Sequence, residues 1–525
     1  MKKFISNYYY FLIIIASLVF HIYWLGELSI GDVPGPVDPF LKTLQGYSLF
    51  NSNFTDQSIY YQFRDIDPNF EFCFFQKDIF TFRFENSLLG PFPVSLSALV
   101  ALLLYVLPIQ NVFIFFALLN LILYLVIFKK VKQDIAIVIL IFFGLPFFIP
   151  NSEVSEHSLL IFTEILSYFL IHKFLSKESE NGKKYFIFLA GVSLGLGIFF
   201  RHEILLFGNL FLCSLFVFKF IPKYKNIIRW KEIFLYFLGL YLTFILFFVM
   251  NKYMYGSSVG PRLNANSSGI YSDLFNKFVF YKSILWKEGS NFGLFGYNPI
   301  YIITLLISIV YIRHWNAKDI LYFLPTLGLI FIVPPLAPND GGSPWGARYL
   351  FLTIFPLVML TSRSLHFLSL SENKYYIWIF RILIIFSVIQ TTISERRSLK
   401  AAKEVSIQQK NYISETAVEE ADLIIFTSEL IAMQTGINYI KFPSILVNHE
   451  NKIPSLRQKI LFDKNKFKKI VIVEPILDNI NLSKFSESDL AGIKPSNILS
   501  YFDKNFEKMT IERKKLVILH HYINQ

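Results

Sequence analysis

The chain has 525 residues, of which 54% are hydrophobic and only 17% charged, and its mean hydropathy is +0.47. A soluble globular chain of this length needs a more polar surface, so the composition excludes that class and indicates a membrane protein. The formal charge of +12 does not indicate nucleic-acid binding, because the basic residues form short clusters between apolar segments rather than one basic face.

The N-terminus begins with Met1-Lys2-Lys3, and an apolar segment over 8–25 follows it. This pattern has the shape of a signal peptide, but the next residues, Gly26-Glu27-Leu28, contain no small-x-small cleavage site. The sequence therefore predicts an uncleaved signal anchor whose basic end lies in the cytoplasm.

Eleven apolar segments are long enough to cross a bilayer, which takes about 17 to 25 residues. They lie at 8–26, 110–128, 134–150, 157–174, 185–200, 203–220, 232–251, 298–313, 318–336, 348–362 and 376–394. A further apolar segment, 88–107, begins around Gly90-Pro91-Phe92-Pro93 and ends at Pro108. If it crossed the membrane, every later loop would change sides, so its placement decides the topology.

Basic clusters in the loops resolve this choice. They are Lys129-Lys130-Lys132, Lys177-Lys183-Lys184, Lys219-Lys223-Lys225-Arg229 and Arg313-Lys318. All four face the cytoplasm only if 88–107 is a helix on the outer surface, and the positive-inside rule favours this arrangement. The sequence then predicts a multi-pass membrane protein with a cytoplasmic N-terminus and an extracytoplasmic C-terminal domain.

Two domains are expected: a membrane domain over 1–394, with a first outside loop at 27–109, and a soluble domain over 395–525. Short apolar runs at 423–426, 470–473 and 516–519 predict the buried strands of a parallel sheet. The predicted fold class is an α-helical polytopic membrane protein with about eleven transmembrane helices, an outer surface helix and a small C-terminal α/β domain.

Ionisable groups at the mouth of a span are functional candidates, because burying them in a membrane is unfavourable. Asp32 and Asp38 follow the first span in a segment whose Gly and Pro residues exclude a helix. They are candidate catalytic acids, and a solvated turn explains these residues equally well. Carboxylates in a loop are compatible with a bound divalent cation without requiring one.

Two further pairs adjoin predicted spans. Glu156 and His157 stand at the start of a predicted helix, where a helix-capping role is the alternative. Arg201 and Glu203 stand between two apolar segments with almost no loop to solvate them. For this second pair the alternatives are a local ion pair and the wall of a binding site.

The last candidates lie in two outer loops. Arg262 follows Gly260-Pro261, and Arg348 lies between Trp345 and Tyr349. Trp and Tyr at a membrane interface are usually anchors. An arginine beside them can instead bind a phosphate with its planar guanidinium group.

The chain resembles the GT-C superfamily of membrane glycosyltransferases over roughly residues 1–394. The resemblance lies in a large first outside loop with acids after the first helix, a surface helix before the second span, and polar motifs in outer loops. The motifs, shared with a group of bacterial members, are Asp38-x-x-x-Lys42-x-x-Gln45, Glu156-His157-Ser158, Arg201-x-Glu203, Gly260-Pro261-Arg262 and Trp345-Gly346-x-Arg348-Tyr349. The Asp-Glu pair frequent after the first helix of this superfamily is absent, so either Asp32 or Asp38 is left as the base.

This resemblance implies transfer of a sugar from a polyprenyl-phosphate carrier to a glycan, lipid or protein acceptor on the extracytoplasmic side, with inversion. It implies Asp38 or Asp32 as the base and Arg348 and Arg262 as phosphate ligands. Further substrate-binding residues are then Glu156, His157, Arg201, Glu203, Lys42, Trp345 and Tyr349. The alternative function is a transporter or a flippase for the lipid carrier, which requires ionisable groups near mid-membrane. A third possible function is that of a non-enzymatic membrane scaffold.

Overall fold

The structure is a computed structural model. It describes residues 2–28, 37–75, 81–90, 92–131, 134–145, 154–176, 183–261, 274–288, 291–339, 346–370, 374–436, 438–459, 461, 466–476 and 495–524. The chain forms two compact units. The first, here called the membrane unit, contains Met1–Glu27 and Phe113–Lys400; the second, the sheet unit, contains Leu28–Val112 and Ala401–Gln525.

Helices make up the membrane unit. In chain order they are α1 (Lys2–Leu28), α4 (Val112–Val131), α5 (Ile135–Phe143), α6 (His157–Leu175), α7 (Lys183–Leu196), α8 (Glu203–Phe220), α9 (Trp230–Tyr255), α10 (Leu274–Leu285), α11 (Leu294–Tyr297), α12 (Ile300–Val310), α13 (Ala317–Leu336), α14 (Ile354–Leu368) and α15 (Tyr375–Glu415), the last of which continues into the sheet unit. A short hairpin joins β3 (Lys287–Glu288) and β4 (Asn291–Phe292).

Seven helical segments among the described residues are long and apolar enough to cross a membrane. They are Ile109–Val131, His157–Leu175, Glu203–Phe220, Trp230–Tyr255, Ala317–Leu336, Ala347–Leu368 and Tyr375–Lys400. Each coincides with a predicted span, so the multi-pass membrane class is confirmed. Three other predicted spans contain the shorter apolar helices Tyr9–Tyr23, Lys184–Phe199 and Ile300–Val310, and a fourth begins as α5. The count of eleven stays a prediction.

Small residues let two helices of the membrane unit approach closely. A Cβ placed on Gly191 of α7 would lie 2.3 Å from the carbonyl oxygen of Tyr236 in α9. A Cβ on Gly239 of α9 would lie 2.3 Å from the carbonyl oxygen of Phe188. Lipid is as apolar as the side chains, so helices in a membrane associate through such close backbone packing rather than through hydrophobic burial.

Basic residues collect at one end of the membrane unit. The Nζ of Lys223 donates to the carbonyl oxygen of Trp315 at 2.7 Å, and α13 begins two residues after Trp315. Lys318 in the first turn of α13 lies close enough to Lys130 at the end of α4 for the two to repel. Three of the predicted cytoplasmic clusters therefore share one end of the unit. Glu203 begins α8 and Lys219 ends it, so Glu203 marks the opposite end.

The sheet unit is built around five strands. These are β5 (Leu423–Phe426), β6 (Ser444–Leu446), β7 (Lys469–Pro475), β8 (Glu507–Arg513) and β9 (Val517–Ile523), in the order β6-β5-β7-β9-β8. Strand β5 is parallel to β6 and β7, but β9 is antiparallel to β7 and to β8. The prediction of an all-parallel sheet is therefore wrong for the third strand. The three residues between β8 and β9 permit only a hairpin, whereas parallel neighbours need a long crossover.

Helices and a second hairpin complete this unit. They are α2 (Val37–Asn51), α3 (Val94–Leu104), α16 (Glu429–Ala432), α17 (Asn438–Lys441), α18 (Lys452–Lys459), α19 (Pro495–Asn505), β1 (Phe82–Phe84) and β2 (Ser87–Leu89). Among the described residues of the predicted surface helix at 88–107, only α3 is helical, and its 11 residues extend about 16 Å, well short of the roughly 30 Å hydrocarbon core. Its length agrees with a helix that does not span the bilayer.

Residues of the first loop enter the hydrophobic core of the sheet. The backbone N–H of Leu446 in β6 donates to the carbonyl oxygen of Phe72 at 2.9 Å. The ring of Phe74 lies 4.6 Å from the ring of Tyr439, and both side chains are buried. The compact unit thus joins 28–112 with 401–525, whereas the sequence suggested a boundary at 394.

An ion pair links the same two segments. The Glu71 Oε2 accepts hydrogen bonds from Lys459 Nζ at 2.7 Å and from the Ser455 hydroxyl at 2.9 Å. Burial raises the pKa of the Glu71 carboxyl, but these hydrogen bonds and the charge of Lys459 outweigh burial, so its pKa lies below the ordinary value. A depressed carboxyl pKa stabilises the fold at neutral pH, and this contribution is lost as the pH falls.

Replacing Glu71 by glutamine should therefore lower the free energy of unfolding at pH 7 by up to about 1 kcal/mol, since the pair is partly exposed. The difference should shrink as the pH falls through the lowered pKa of this carboxyl, and it should vanish once the carboxyl is protonated in both the folded and the unfolded state. Thermal unfolding of the purified protein, measured from pH 7 down to about pH 2, follows this loss. The exposed Glu450→Gln variant is the control, since Glu450 has no ion-pair partner among the described residues. A deficit for Glu71→Gln that is as large in acid as at pH 7 would contradict this account.

Candidate active site

Arg201 is the centre of a polar cluster in the membrane unit. After α7 the chain makes one 3-10 turn over Gly197–Phe199, and the backbone N–H of Arg201 donates to the carbonyl oxygen of Gly197. Two residues later α8 begins with Glu203. This short connection holds Arg201 between two helices, and its side chain is only 2% exposed.

Two carboxylates neutralise this buried cation. Arg201 Nη2 lies 2.5 Å from Glu203 Oε1, and Arg201 Nη1 lies 3.3 Å from Glu156 Oε1. Arg201 Nε also donates to both oxygens of Glu203 at 3.1 Å. Burial lowers the pKa of the Arg201 guanidinium, but the two carboxylates outweigh burial and its pKa lies above the ordinary value. Arg201 is therefore permanently charged.

His157 joins the cluster from the first residue of α6. Its ring nitrogens lie 3.1 Å (Nε2) and 3.4 Å (Nδ1) from Arg201 Nη1. The ring of Phe351 packs edge-on against the imidazole with the centroids 4.7 Å apart. These contacts fix the imidazole between a cation and an aromatic edge.

The arginine of the last outer motif lies beside this cluster. The Cζ of Arg348 is 5.2 Å from the centroid of the Tyr349 ring, and the Cζ of Arg201 is 5.7 Å from the same centroid. Asn339 Oδ1 accepts a hydrogen bond from the Tyr349 hydroxyl at 2.8 Å and a longer one from Arg348 Nη2 at 3.4 Å. One aromatic ring is thus shared by two guanidinium groups.

The two arginines differ in their charge balance. Arg201 faces two carboxylates, whereas Arg348 has no carboxylate partner among the described residues. The Nε of Arg348 is buried and makes no hydrogen bond, although the side chain as a whole is half-buried. Arg348 is therefore the cation of this cluster with donor capacity left for an anion.

The structure brings together Glu156, His157, Arg201, Glu203, Arg348 and Tyr349, which are six of the residues selected from the sequence. Asp32, Arg262 and Trp345 lie outside the described residues. Asp38 lies in the first turn of α2 in the sheet unit, so the expectation that its segment is not helical is wrong at this residue. The expected convergence of Asp32 and Asp38 with Arg348 stays a prediction.

Lys42 also belongs to α2, where its side chain is buried and its Nζ lies 4.6 Å from the centroid of the Phe92 ring. Gln45, one turn further, donates to the carbonyl oxygen of Gln57 at 3.0 Å. Lys42 and Gln45 of the motif thus contact later residues of the first loop from α2.

The sequence analysis missed two residues that position the cluster, Asn120 and Phe351. Asn120 in α4 is buried and donates to the hydroxyl of Ser158 at 2.7 Å, which fixes the start of α6. An asparagine within an apolar span was a signal for such a contact, because a buried amide needs partners. Nothing in the sequence marked Phe351, which is one of many phenylalanines in apolar segments.

The described residues contain no group of three or more His, Cys, Asp or Glu side chains that could hold a metal ion. The side chains of the candidate acids Asp32 and Asp38 are not among those described.

The hydrophobic helices and the polar cluster around Arg201, at the ends of α6, α8 and α13, define a multi-pass membrane protein with a candidate site away from its basic loops. The sequence matches no protein-family model and no curated protein. Among solved structures, it is similar to the apo form of ArnT from Cupriavidus metallidurans, with 9% identity over 98% of each chain and a TM-score of 0.53. The chain therefore has the fold of ArnT, and the predicted fold class, a helical multi-pass membrane protein with a small C-terminal α/β domain, is confirmed.

Two other matches have lower scores. ArnT from the same organism with undecaprenyl phosphate bound gives 9% identity over 97% of each chain, with a TM-score of 0.49. The oligosaccharyltransferase of Archaeoglobus fulgidus with Zn and sulfate gives 12% identity over 97% of this chain and 73% of that chain, also with a TM-score of 0.49. At these scores neither match adds to the fold assignment.

Proposed function

We propose that the protein is a membrane glycosyltransferase that moves a sugar from a polyprenyl-phosphate carrier to an acceptor on the extracytoplasmic side. The observation that carries the proposal is Arg348, a half-buried guanidinium with an unpartnered Nε beside a cluster already balanced by its own ion pairs. Such a group suits a phosphate, because it stays charged in an apolar environment and presents a planar set of donors.

The fold supports the same chemistry. ArnT shares the architecture over 98% of both chains, and ArnT also has a structure with undecaprenyl phosphate bound. A phosphate carried on a polyprenyl chain lies at headgroup level, where the ends of membrane helices are found. Arg348 precedes α14 at such an end.

The distribution of charge supports an outward-facing site. The lysine-rich loops lie together near the start of α13, whereas Asn339 and Arg348 follow its end. If the lysines face the cytoplasm, as the positive-inside rule requires, the cluster around Arg201 faces outward. A polyprenyl-linked sugar donor suits this side, where nucleotide sugars are absent.

The proposed reaction is a single displacement. A carboxylate, Asp38 or Asp32, takes the proton of the acceptor hydroxyl as its oxygen forms a bond to the anomeric carbon. The bond from that carbon to the phosphate oxygen breaks, and the polyprenyl phosphate leaves with the bonding electrons. Attack opposite the leaving group inverts the anomeric centre. Arg348, assisted by Arg262, stabilises the negative charge on the leaving phosphate.

The remaining cluster residues hold the site in shape. Arg201 uses its donors on Glu156, Glu203 and His157, so it positions these groups and keeps Tyr349 in place. His157 and the partly exposed Glu203 are then the members left to contact the sugar, together with Trp345. Lys42 remains a candidate on the sheet unit.

Replacing the base by asparagine should abolish transfer and leave carrier binding nearly unchanged, because a general base acts mainly in the transition state. In cells that lack the protein, the unused sugar-linked polyprenyl phosphate should accumulate in lipid extracts, and its mass identifies the sugar. Expression of the wild-type chain in these cells should remove the accumulated lipid. Expression of the Asp38→Asn variant should not, and the Asp32→Asn variant is the matched comparison.

A flippase would behave differently in proteoliposomes. It would move a labelled polyprenyl phosphate across the bilayer without changing the mass of any component, whereas a transferase forms an acceptor heavier by one sugar. Transport without a glycosylated product, unaffected by either asparagine variant, would overturn the transferase assignment.

A further inference from the structure

A groove on the membrane unit lies apart from the cluster around Arg201. It has a volume of about 320 Å³ and is lined by Lys287, Phe292, Phe386, Ile389, Gln390, Ile393, Ser394 and Arg397. We call it the α15 groove, because six of these residues lie on α15. We propose that the α15 groove binds an anionic glycerophospholipid, with an acyl chain along α15 and the phosphate between Lys287 and Arg397.

The wall of the groove is a helical stripe that faces lipid. Phe386, Ile389 and Ile393 recur at intervals of three and four residues, so they share one face of α15. Their side chains are between 49% and 59% exposed, and they belong to the membrane-spanning segment Tyr375–Lys400. Side chains exposed at this depth contact hydrocarbon chains.

Two cations without acidic partners line the groove. Arg397 lies one helical turn beyond Ile393, and Lys287 approaches from β3, with its Nζ 4.9 Å from the centroid of the Phe292 ring. The neighbouring Glu288 is already paired with Lys282, whose Nζ lies 2.6 Å from its carboxylate. Among the described residues, neither Lys287 nor Arg397 has a carboxylate partner.

The uncharged polar side chains of the groove are less available to a ligand. Gln390 Nε2 donates to the carbonyl oxygen of Gly296 at 3.1 Å, and Ser394 is buried. The groove therefore offers an apolar wall and two positive charges, which is complementary to one acyl chain joined to one phosphate. Basic pockets beside membrane helices bind anionic lipid headgroups in this way.

The proposal does not depend on the transferase function, because its test measures binding alone. Purified protein in detergent is titrated with phosphatidylglycerol or phosphatidylcholine, and bound lipid is counted by native mass spectrometry. We expect phosphatidylglycerol to bind at least tenfold more tightly. The double variant Lys287→Gln/Arg397→Gln should lose about thirtyfold in affinity for it and little for phosphatidylcholine.

Arg396→Gln is the matched control, since it removes the same charge from the next position of the helix, outside the groove. It should leave phosphatidylglycerol affinity within about twofold of wild type, because charges not aligned with the bound phosphate are screened by solvent. Ile393→Trp places a larger side chain on the apolar wall and narrows the groove. It should weaken the binding of both lipids, with phosphatidylglycerol still bound more tightly than phosphatidylcholine.

Three results would overturn the proposal. The first is an equal loss of phosphatidylglycerol affinity in Arg396→Gln and in the double variant. That result would mean that the lipid is attracted to basic charge in general. The second is no preference between the two lipids. The third is displacement of phosphatidylglycerol by polyprenyl phosphate at lower concentration, with loss of transfer in the double variant. That result would make the groove the carrier site instead.

Discussion

Replacing Arg201 by methionine is expected to destabilise the membrane unit by about 3–5 kcal/mol, because it leaves buried carboxylates without their cation. Glu156 is only 3% exposed, so its charge has little access to water, whereas Glu203 at 15% is partly solvated. Most of the loss should therefore come from Glu156. The free energy of unfolding, measured in a denaturing detergent series, tests this expectation.

A triple variant separates charge from shape. With Glu156→Gln and Glu203→Gln added to Arg201→Met, no uncompensated charge remains, and most of the lost stability should return. Transfer should not return, since the Arg201 contacts that hold His157 and Tyr349 are still missing. A single Arg201→Met variant within about 1 kcal/mol of wild type would show that the ion pairs contribute little.

Arg201→Lys gives an intermediate case. An ammonium group keeps the charge but cannot present Nε and both Nη groups to Glu203, Glu156 and His157 together. We expect a smaller destabilisation than for methionine. A lysine variant as unstable as the methionine variant would mean that the geometry of the guanidinium, rather than its charge, holds the cluster.

The polar cluster could be predicted from sequence to a considerable degree. Charged residues between apolar segments have no water to solvate them, so Arg201, Glu203 and Glu156 had to find partners at the ends of their helices. The sequence left open whether Arg201 pairs only with its near neighbour. The structure answers that it binds both carboxylates, one of them 45 residues away.

The fold of the sheet unit was less predictable. The runs 423–426 and 470–473 were recognised as strands, because parallel central strands are continuously apolar. Strand β8 was not recognised because all seven of its residues are exposed and its sequence, EKMTIER, is rich in charged residues. Such a segment has no apolar run that would indicate a strand. Its hairpin with β9 reverses the direction of the third predicted strand.

The partnership of the first loop with the C-terminal segment could not be read from the sequence either. Phe72 and Phe74 are ordinary aromatic residues in a Phe-rich chain, and no local pattern tells that their partners are Leu446 and Tyr439. Contacts between residues more than 300 positions apart depend on the tertiary fold, which periodicity within a window does not encode.

Replacing Arg348 by glutamine should lower kcat/KM for transfer by about 10²–10³-fold, the loss typical of removing one group that stabilises developing negative charge. Its effect on stability should be small, within about 1 kcal/mol, because no ion pair within the described residues is broken. Arg348→Gln thus contrasts with Arg201→Met, for which loss of stability is the main expected result.

Arg348→Lys tests whether the planar pair of guanidinium donors contributes beyond the positive charge. Lysine keeps the positive charge but offers no planar pair of donors, so carrier affinity should fall by about tenfold and the rate by less than with glutamine. Kinetics at several carrier concentrations would separate KM from kcat. Since phosphate is bound in the ground state and gains charge in the transition state, both parameters should change.

The exposed Arg313 provides the matched control, because it lies in the short 3-10 segment Ile312–His314 near the basic end of the membrane unit. Arg313→Gln makes the same change of charge there and should leave transfer and carrier binding at wild-type levels. If Arg348→Gln also transferred sugar at the wild-type rate, Arg348 would not be the phosphate ligand. If it instead lost several kcal/mol of stability, the shared contacts with Tyr349 and Asn339 would have a structural role, and the anion would have to bind elsewhere.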